Sequence, residues 1–273
     1  MGTLFVWSDL GLSNYNAGFI TYRTRNWKGL SLDANLTYAH SLDTQGYSQD
    51  EDVSGTNAFN PHYDYGTSMF DRKFVFNLLG MYQFPFGSGG HTVLDRIVQG
   101  WAVSPILSIY SGLPLKVQDG SSQEFGQGTA STGSAAILTV PDTFGNSVHS
   151  GVVGTTVATS GNAASGSSGL NLFANPLAVY NSFRPIMISQ DTTSGGGGRL
   201  RGQARWNLDL NVMRKIKFTE RFNTTFTAQF FNIFNHDMFN DPTVSLQAPT
   251  SFGVLSSQLN RPRIIQLGLH FDF

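Results

Sequence analysis

Along residues 30–41, apolar and polar side chains alternate strictly. Leu30, Leu32, Ala34, Leu36 and Tyr38 fall on one face, and Ser31, Asp33, Asn35 and Thr37 on the other. In an extended strand successive side chains point to opposite faces, so this order predicts a ribbon that is oily on one side and wet on the other. Six further segments read the same way: 14–25, 72–84, 100–112, 204–218, 221–233 and 262–273. Each runs to roughly 12–15 residues, whereas strands of water-soluble proteins average about 5–6 and a tilted membrane-spanning strand needs about 9–11. Strand length therefore points to a bilayer.

The connections between these segments alternate in length. Residues 26–29 (Asn26, Trp27, Lys28, Gly29) form a short turn and 42–71 a long loop; 85–99 is intermediate and 113–203 very long; Thr219 and Glu220 form a tight turn, and 234–261 is long again. All long loops thus emerge on one side, the pattern of outer-membrane barrels with short periplasmic turns and long extracellular loops. If the first strand runs toward the short-turn side, so does the seventh, which delivers Phe273 to the periplasmic face. The stretch 117–200 holds fourteen of the 30 glycines and only six charges. It admits an ordered lid or a floppy external loop, but a structureless loop of that length is unusual, so short strands are expected within it.

Composition narrows the class further. Charged residues make up 13% of the 273, and 17 Lys and Arg against 18 Asp and Glu leave a net charge of −1, which offers no basic surface for nucleic acid. With no cysteine, disulfides and thiolate sites are excluded. No apolar run reaches 18 residues, so no transmembrane helix is encoded. The start of the chain lacks the basic and apolar regions of a secretory signal peptide.

Two groups of residues stand out as functional candidates. The last strand counts back in twos as Phe273, Phe271, Leu269, Leu267 and Ile265, an unbroken apolar face ending in a terminal aromatic. It can be an ordinary amphipathic strand; the reading preferred here is a signal for outer-membrane assembly. Aromatic residues also gather near the short-turn ends: Trp27, Tyr82, Phe84, Phe86, Trp101, Phe218 and Phe222. Rings with one wet and one dry side suit the headgroup boundary of a membrane. A charge facing lipid at mid-depth would cost up to about 2–4 kcal/mol, and Asp33 and Asp209 both fall on the polar face.

Other chemistry is weakly supported. Asp50, Glu51 and Asp52 lack the spacing of a calcium loop and read as a solvated tip. Gly195 to Gly198, before Arg199 and Arg201, lacks the ending of a phosphate-binding loop and reads as a hinge. The six histidines are scattered and no nucleophile elbow is present, so no metal, cofactor or catalytic residue is assigned and no enzyme is expected.

A set of short motifs, in order, resembles a known family. They are Ser13-Asn14-Tyr15-Asn16, Lys28-Gly29-Leu30, Tyr38 through Asp43, Asp71-Arg72, Tyr82 with Phe84-Pro85-Phe86-Gly87, Trp101, Ser111-Gly112 with Pro114, Asn207-Leu208-Asp209-Leu210 and Thr219-Glu220-Arg221. Phe231-Asn232-Ile233-Phe234-Asn235-His236, Phe239, Pro242, Phe252-Gly253 and Pro262-Arg263 complete it. The chain resembles the C-terminal part of the barrel of TonB-dependent outer-membrane receptors, in the subgroup with an N-terminal carboxypeptidase-regulatory-like domain common in Acidobacteria. The resemblance implies a 22-stranded barrel closed by a plug and opened by an energy-coupling TonB protein. It also implies uptake of a scarce ligand such as an iron chelate, vitamin or glycan, and assembly by the barrel-assembly machinery in outer-membrane lipid.

The expected fold is thus all-β: a partial transmembrane antiparallel barrel of about seven long strands with long extracellular loops. Signal peptide, plug and coupling box are missing from the sequence, so the chain is expected to be a C-terminal fragment with a truncated or misassigned start. Seven strands would bring the first and last together parallel, so upstream strands are expected to complete the wall. The rival expectation is a secreted or surface β-sandwich adhesin that presses its oily faces together and binds glycans or proteins.

Overall fold

The computed structural model describes residues 11–44, 57, 60–85, 99–119, 135–140, 149–150, 170–187, 189–195, 198–219 and 222–273. Seven long strands form one antiparallel sheet in chain order. They are β1 (Ser13–Trp27), β2 (Leu30–Asp43), β3 (Phe74–Gln83), β4 (Trp101–Tyr110), β5 (Arg205–Lys217), β6 (Asn223–Phe231) and β7 (Ile264–Asp272). Each expected segment is a strand, and each strand pairs with its neighbour in sequence. β1 and β7 are the edges, and the sheet is not closed.

The ends of the strands differ from expectation for local reasons. β1 continues to Trp27, so its turn shrinks to Lys28 and Gly29, both at positive φ (50° and 85°), as a two-residue hairpin requires. β3 starts two residues late because Arg72 leaves the ladder and donates from Nη1 to the Ser111 carbonyl at 2.7 Å. β6 stops at Phe231 because Asn232 turns the chain at φ 51°.

Register places like beside like along several cross-strand rows, although Phe19 opposite Thr37, and Leu79 and Ile106 beside Asp33 and Asp209, bring apolar side chains onto the polar face. Ile20, Leu36, Phe76, Ile109 and Trp206 lie in one cross-strand row, and Val212, Ala228 and Leu267 lie in another on the same face. On the opposite face Thr21, Asn35, Asn77, Ser108 and Asn207 form a polar row across five strands. Because the side-chain period is two, a one-residue slip of any strand would turn its oily set toward the polar side. The register is therefore set by the two-sided pattern itself.

Among the described residues no second sheet covers the apolar face: along β7, Ile265, Leu267, Leu269 and Phe271 all stand exposed. The sandwich expectation is thereby corrected. A sandwich would bury those residues, and here the oily side is left to an apolar solvent.

Packing of the ordinary, closed kind occurs elsewhere. The large apolar side chains that are fully buried, Leu172, Phe173, Ile186, Leu200, Phe252 and Leu255, all lie in the long loops. Of these, Leu172, Phe173, Leu200, Phe252 and Leu255 form the core of a cap with Leu115, Val117, Val179 and Val244. Short strands stitch it together, as expected for the 117–200 stretch: Pro114–Leu115 pairs with Leu200–Arg201, Ile137–Leu138 with Phe183–Arg184, and His149–Ser150 with Leu170–Asn171. A helical turn, Pro176–Asn181, starts with Pro at its first position, and the Asn175 side chain accepts from the Ala178 N–H at 3.0 Å. Asn171, buried in the cap, donates to the Phe252 carbonyl at 2.9 Å and accepts from the Phe173 N–H at 2.8 Å, so both ends of its amide are partnered.

Candidate ligand-binding vestibule

The cap meets the wall at the long-loop end of the polar face, where charged groups from all three long loops converge. Asp71, just before β3, has a side chain of 0% exposure. It accepts hydrogen bonds from the Arg201 guanidinium of the cap and from the Ser41 N–H at 2.7 Å, and His40 Nδ1 lies 3.2 Å away. Burial alone would raise the Asp71 carboxyl; these donors outweigh it and hold the group below its ordinary value. Arg201 also donates to the Asp71 and Gly112 carbonyls at 3.2 and 3.3 Å, so one guanidinium ties cap to wall through several acceptors.

Beside this latch, Tyr110 of β4 and Arg205 of β5 face each other in register. The Arg72 guanidinium lies 5.3 Å over the Tyr110 ring, and Arg205 pairs with Asp241 of the last long loop at 2.9 Å. Burial pushes the Asp241 carboxyl up, with Arg205 and Arg72 pulling the other way. Close approach here demands glycine: a Cβ on Gly202 would collide with the Asp241 carboxylate, and one on Gly112 with the Gly202 carbonyl.

A cleft of about 250 Å³ opens at this junction. Met69 lines it from the first long loop, Leu113, Lys116 and Gln118 from the second, and Asp241 and Thr243 from the third. Ligand pockets usually span about 300–1,000 Å³, so the cleft has room for a single chemical group rather than for a whole ligand. Deeper on the polar face, Asp209 accepts from Asn207 Nδ2 and from the Asn232 N–H, both at 2.8 Å. Asp33 is matched by Arg23, whose Nε donates at 2.7 Å. Both carboxylates sit on the polar face, where the sequence put them.

The aromatic residues singled out in the sequence lie at the other end of the wall. Tyr82 and Phe84 meet edge to face at 5.1 Å, and the Arg214 guanidinium lies 5.5 Å over the Trp101 ring. Phe218 packs on Phe222 at 5.5 Å, and Phe222 stacks on Phe271 at 6.1 Å. Trp27 stands at the same end of β1, under the Lys28 ammonium, and Phe273 is 100% exposed. Phe86 and the acidic run Asp50, Glu51 and Asp52 lie outside the described residues. Among the described residues no group of three His, Asp or Glu side chains is placed to hold a metal ion.

A family model described as an outer membrane beta barrel domain matches residues 1–266. The chain belongs to this family. As an outer-membrane barrel domain it is placed in the cell outer membrane, and the exposed oily face of the sheet is its lipid face. No curated protein matches it significantly.

For this barrel domain, sequence reading located the aromatic ends but missed the vestibule. Asp71 and Arg72 entered the sequence reading only as a family motif and Arg201 only beside a glycine run, and nothing there joined them to Arg205. Their partners lie far off along the chain, 130 residues in the case of Asp71 and Arg201.

Proposed function

We propose that this barrel domain forms wall, mouth and outer cap of a TonB-dependent transporter, which captures a scarce ligand outside the cell and admits it with energy from the inner membrane. The observation that carries this reading is the cap itself. A packed outer structure, tied by buried ion pairs to the rim of a polar sheet face, suits a receptor better than a passive pore, whose loops need only leave the channel open. The ligand class is an iron chelate, a vitamin, a glycan or a similar solute too large or too rare to diffuse in. Strands beyond the seven described complete the wall, because unpaired strand edges in lipid leave backbone groups unsatisfied at several kcal/mol each. The short-turn aromatics Trp27, Tyr82, Phe84, Trp101, Phe218 and Phe222 anchor the wall at the periplasmic headgroups. The face Ile265, Leu267, Leu269, Phe271 and Phe273 is read by the barrel-assembly machinery. No catalytic step is assigned.

Uptake assays test this. Cells carrying or lacking the gene are supplied with limiting iron chelates, vitamins or oligosaccharides, with and without an agent that collapses the proton gradient. Uptake that needs both gene and gradient is expected for one ligand class. Gene-dependent uptake that continues at the same rate without the gradient would assign a passive channel instead.

A further inference from the structure

The lipid face carries a second chemistry at its long-loop rim. Counting back in twos along β7 from Phe271, Leu269, Leu267 and Ile265, the next position on the row is Arg263, and Arg261 precedes it. Both arginines are exposed, and neither has an ion-pair partner among the described residues. The backbone beneath them is fixed. The Arg263 N–H donates to Asn235 Oδ1 at 2.8 Å, Arg263 Nη1 reaches the Ile233 carbonyl at 3.4 Å, and Asn232 Nδ2 donates to the Arg261 carbonyl at 3.2 Å. The nearby carboxylate of Asp237 is engaged by Gln258 Nε2 at 3.2 Å.

Beside the arginines stands an aromatic shelf. Trp206, at the rim of the oily face, stacks on His236 at 4.4 Å and meets the exposed Phe234 edge to face at 5.7 Å. Rings of this kind sit where acyl chains give way to headgroups, and guanidinium forks pair with phosphate oxygens. Long loops face outward in these barrels, so this rim lies in the outer leaflet.

We infer that Arg261 and Arg263 bind the phosphate of an anionic glycolipid of the outer leaflet, with its sugar against Trp206, Phe234 and His236 and its acyl chains along Ile265, Leu267 and Phe230. The lipid thereby holds the last long loop at the membrane surface. This rests on the outer-membrane placement alone, so it stands or falls independently of the transport reading.

The test uses the protein extracted from its own outer membrane in mild detergent and titrated in native mass spectrometry. The probes are lipid A carrying both phosphates, the same lipid stripped of phosphate, and inorganic phosphate as competitor. Wild-type protein is expected to bind the phosphorylated lipid and not the stripped one, and R261Q/R263Q to bind it about 30-fold more weakly, from the contribution typical of a basic side chain at an anionic surface. Equal binding of both lipids, or unchanged affinity in the double variant, overturns the inference. Displacement by inorganic phosphate at the lipid's own concentration overturns it too, by assigning a free-anion site. Should the double variant fail to assemble, the phosphate dependence of the wild type still decides the matter.

Discussion

The wall and the cap of this barrel domain are stable by opposite means. In the wall, ladder hydrogen bonds join seven strands and the oily side chains are given to lipid; the apolar residues buried within its long strands are the small Ala39, Ala102 and Ala228. In the cap, short irregular pieces close around Phe173, Phe252, Leu172 and Leu255, as in a water-soluble core. The wall depends on its solvent, and the cap on its own packing. Among the described residues an ionic seam of Asp71–Arg201 and Arg205–Asp241 joins the two, beside the neck at Gly112 and Gly202.

Breaking that seam gives the largest effect. Arg201→Ala leaves the Asp71 carboxylate buried without its charge partner, a loss of about 3–5 kcal/mol for such pairs. The cap is expected to become open to trypsin in intact cells while the wall keeps its heat-modifiable mobility on gels. Loss of both together would show that wall and cap fold as one unit. Phe252→Ala acts within the cap: the side chain is 0% exposed, and truncation costs about 3–5 kcal/mol through lost burial and the cavity left behind. Faster cleavage confined to the long loops is the expected readout.

The same logic inverts in the wall. Leu267 is 68% exposed, to lipid, so Leu267→Arg is expected to cost about 2–4 kcal/mol in vesicles. Gln266→Arg, one residue away on the polar face, is expected to cost almost nothing. Urea unfolding of the two variants in lipid measures the contrast, and equal costs would mean that the faces have been assigned wrongly.

Acidification produces the mildest change. The folded Asp71 carboxyl lies below its ordinary value, so its contribution is complete above the unfolded value of about 4. That contribution is lost as pH falls through the lower, folded value. Protease sensitivity of the cap should therefore stay flat from neutrality to about pH 4 and rise only below it. In Asp71→Asn that acid step should vanish.

What the sequence made legible follows the same division. Every wall strand was visible because period-two alternation is local, and a run such as Leu30 to Tyr38 declares its faces without reference to anything else. The aromatic ends were visible for the same reason, since ring positions at strand ends can be read from the chain. The cap was legible only as an expectation of some short strands. Its core residues lie in glycine- and serine-rich sequence with no period, and its contacts are remote: Asn171 meets Phe252 across 81 residues. The vestibule was hidden for that reason as well, because Asp71, Arg201, Arg205 and Asp241 become neighbours only after the cap has folded.

The neck at Gly112 and Gly202 has a consequence for how such proteins diversify. Residues 113–201 leave and re-enter the sheet at a single point, already closed by the pairing of Pro114–Leu115 with Leu200–Arg201. Lengthening a loop whose ends are pinned costs little, since closure entropy grows only with the logarithm of its length. Length in this loop is thus cheap to change as long as the core it shares with Val244, Phe252 and Leu255 is kept. Insertions there leave the register of the strands beneath untouched.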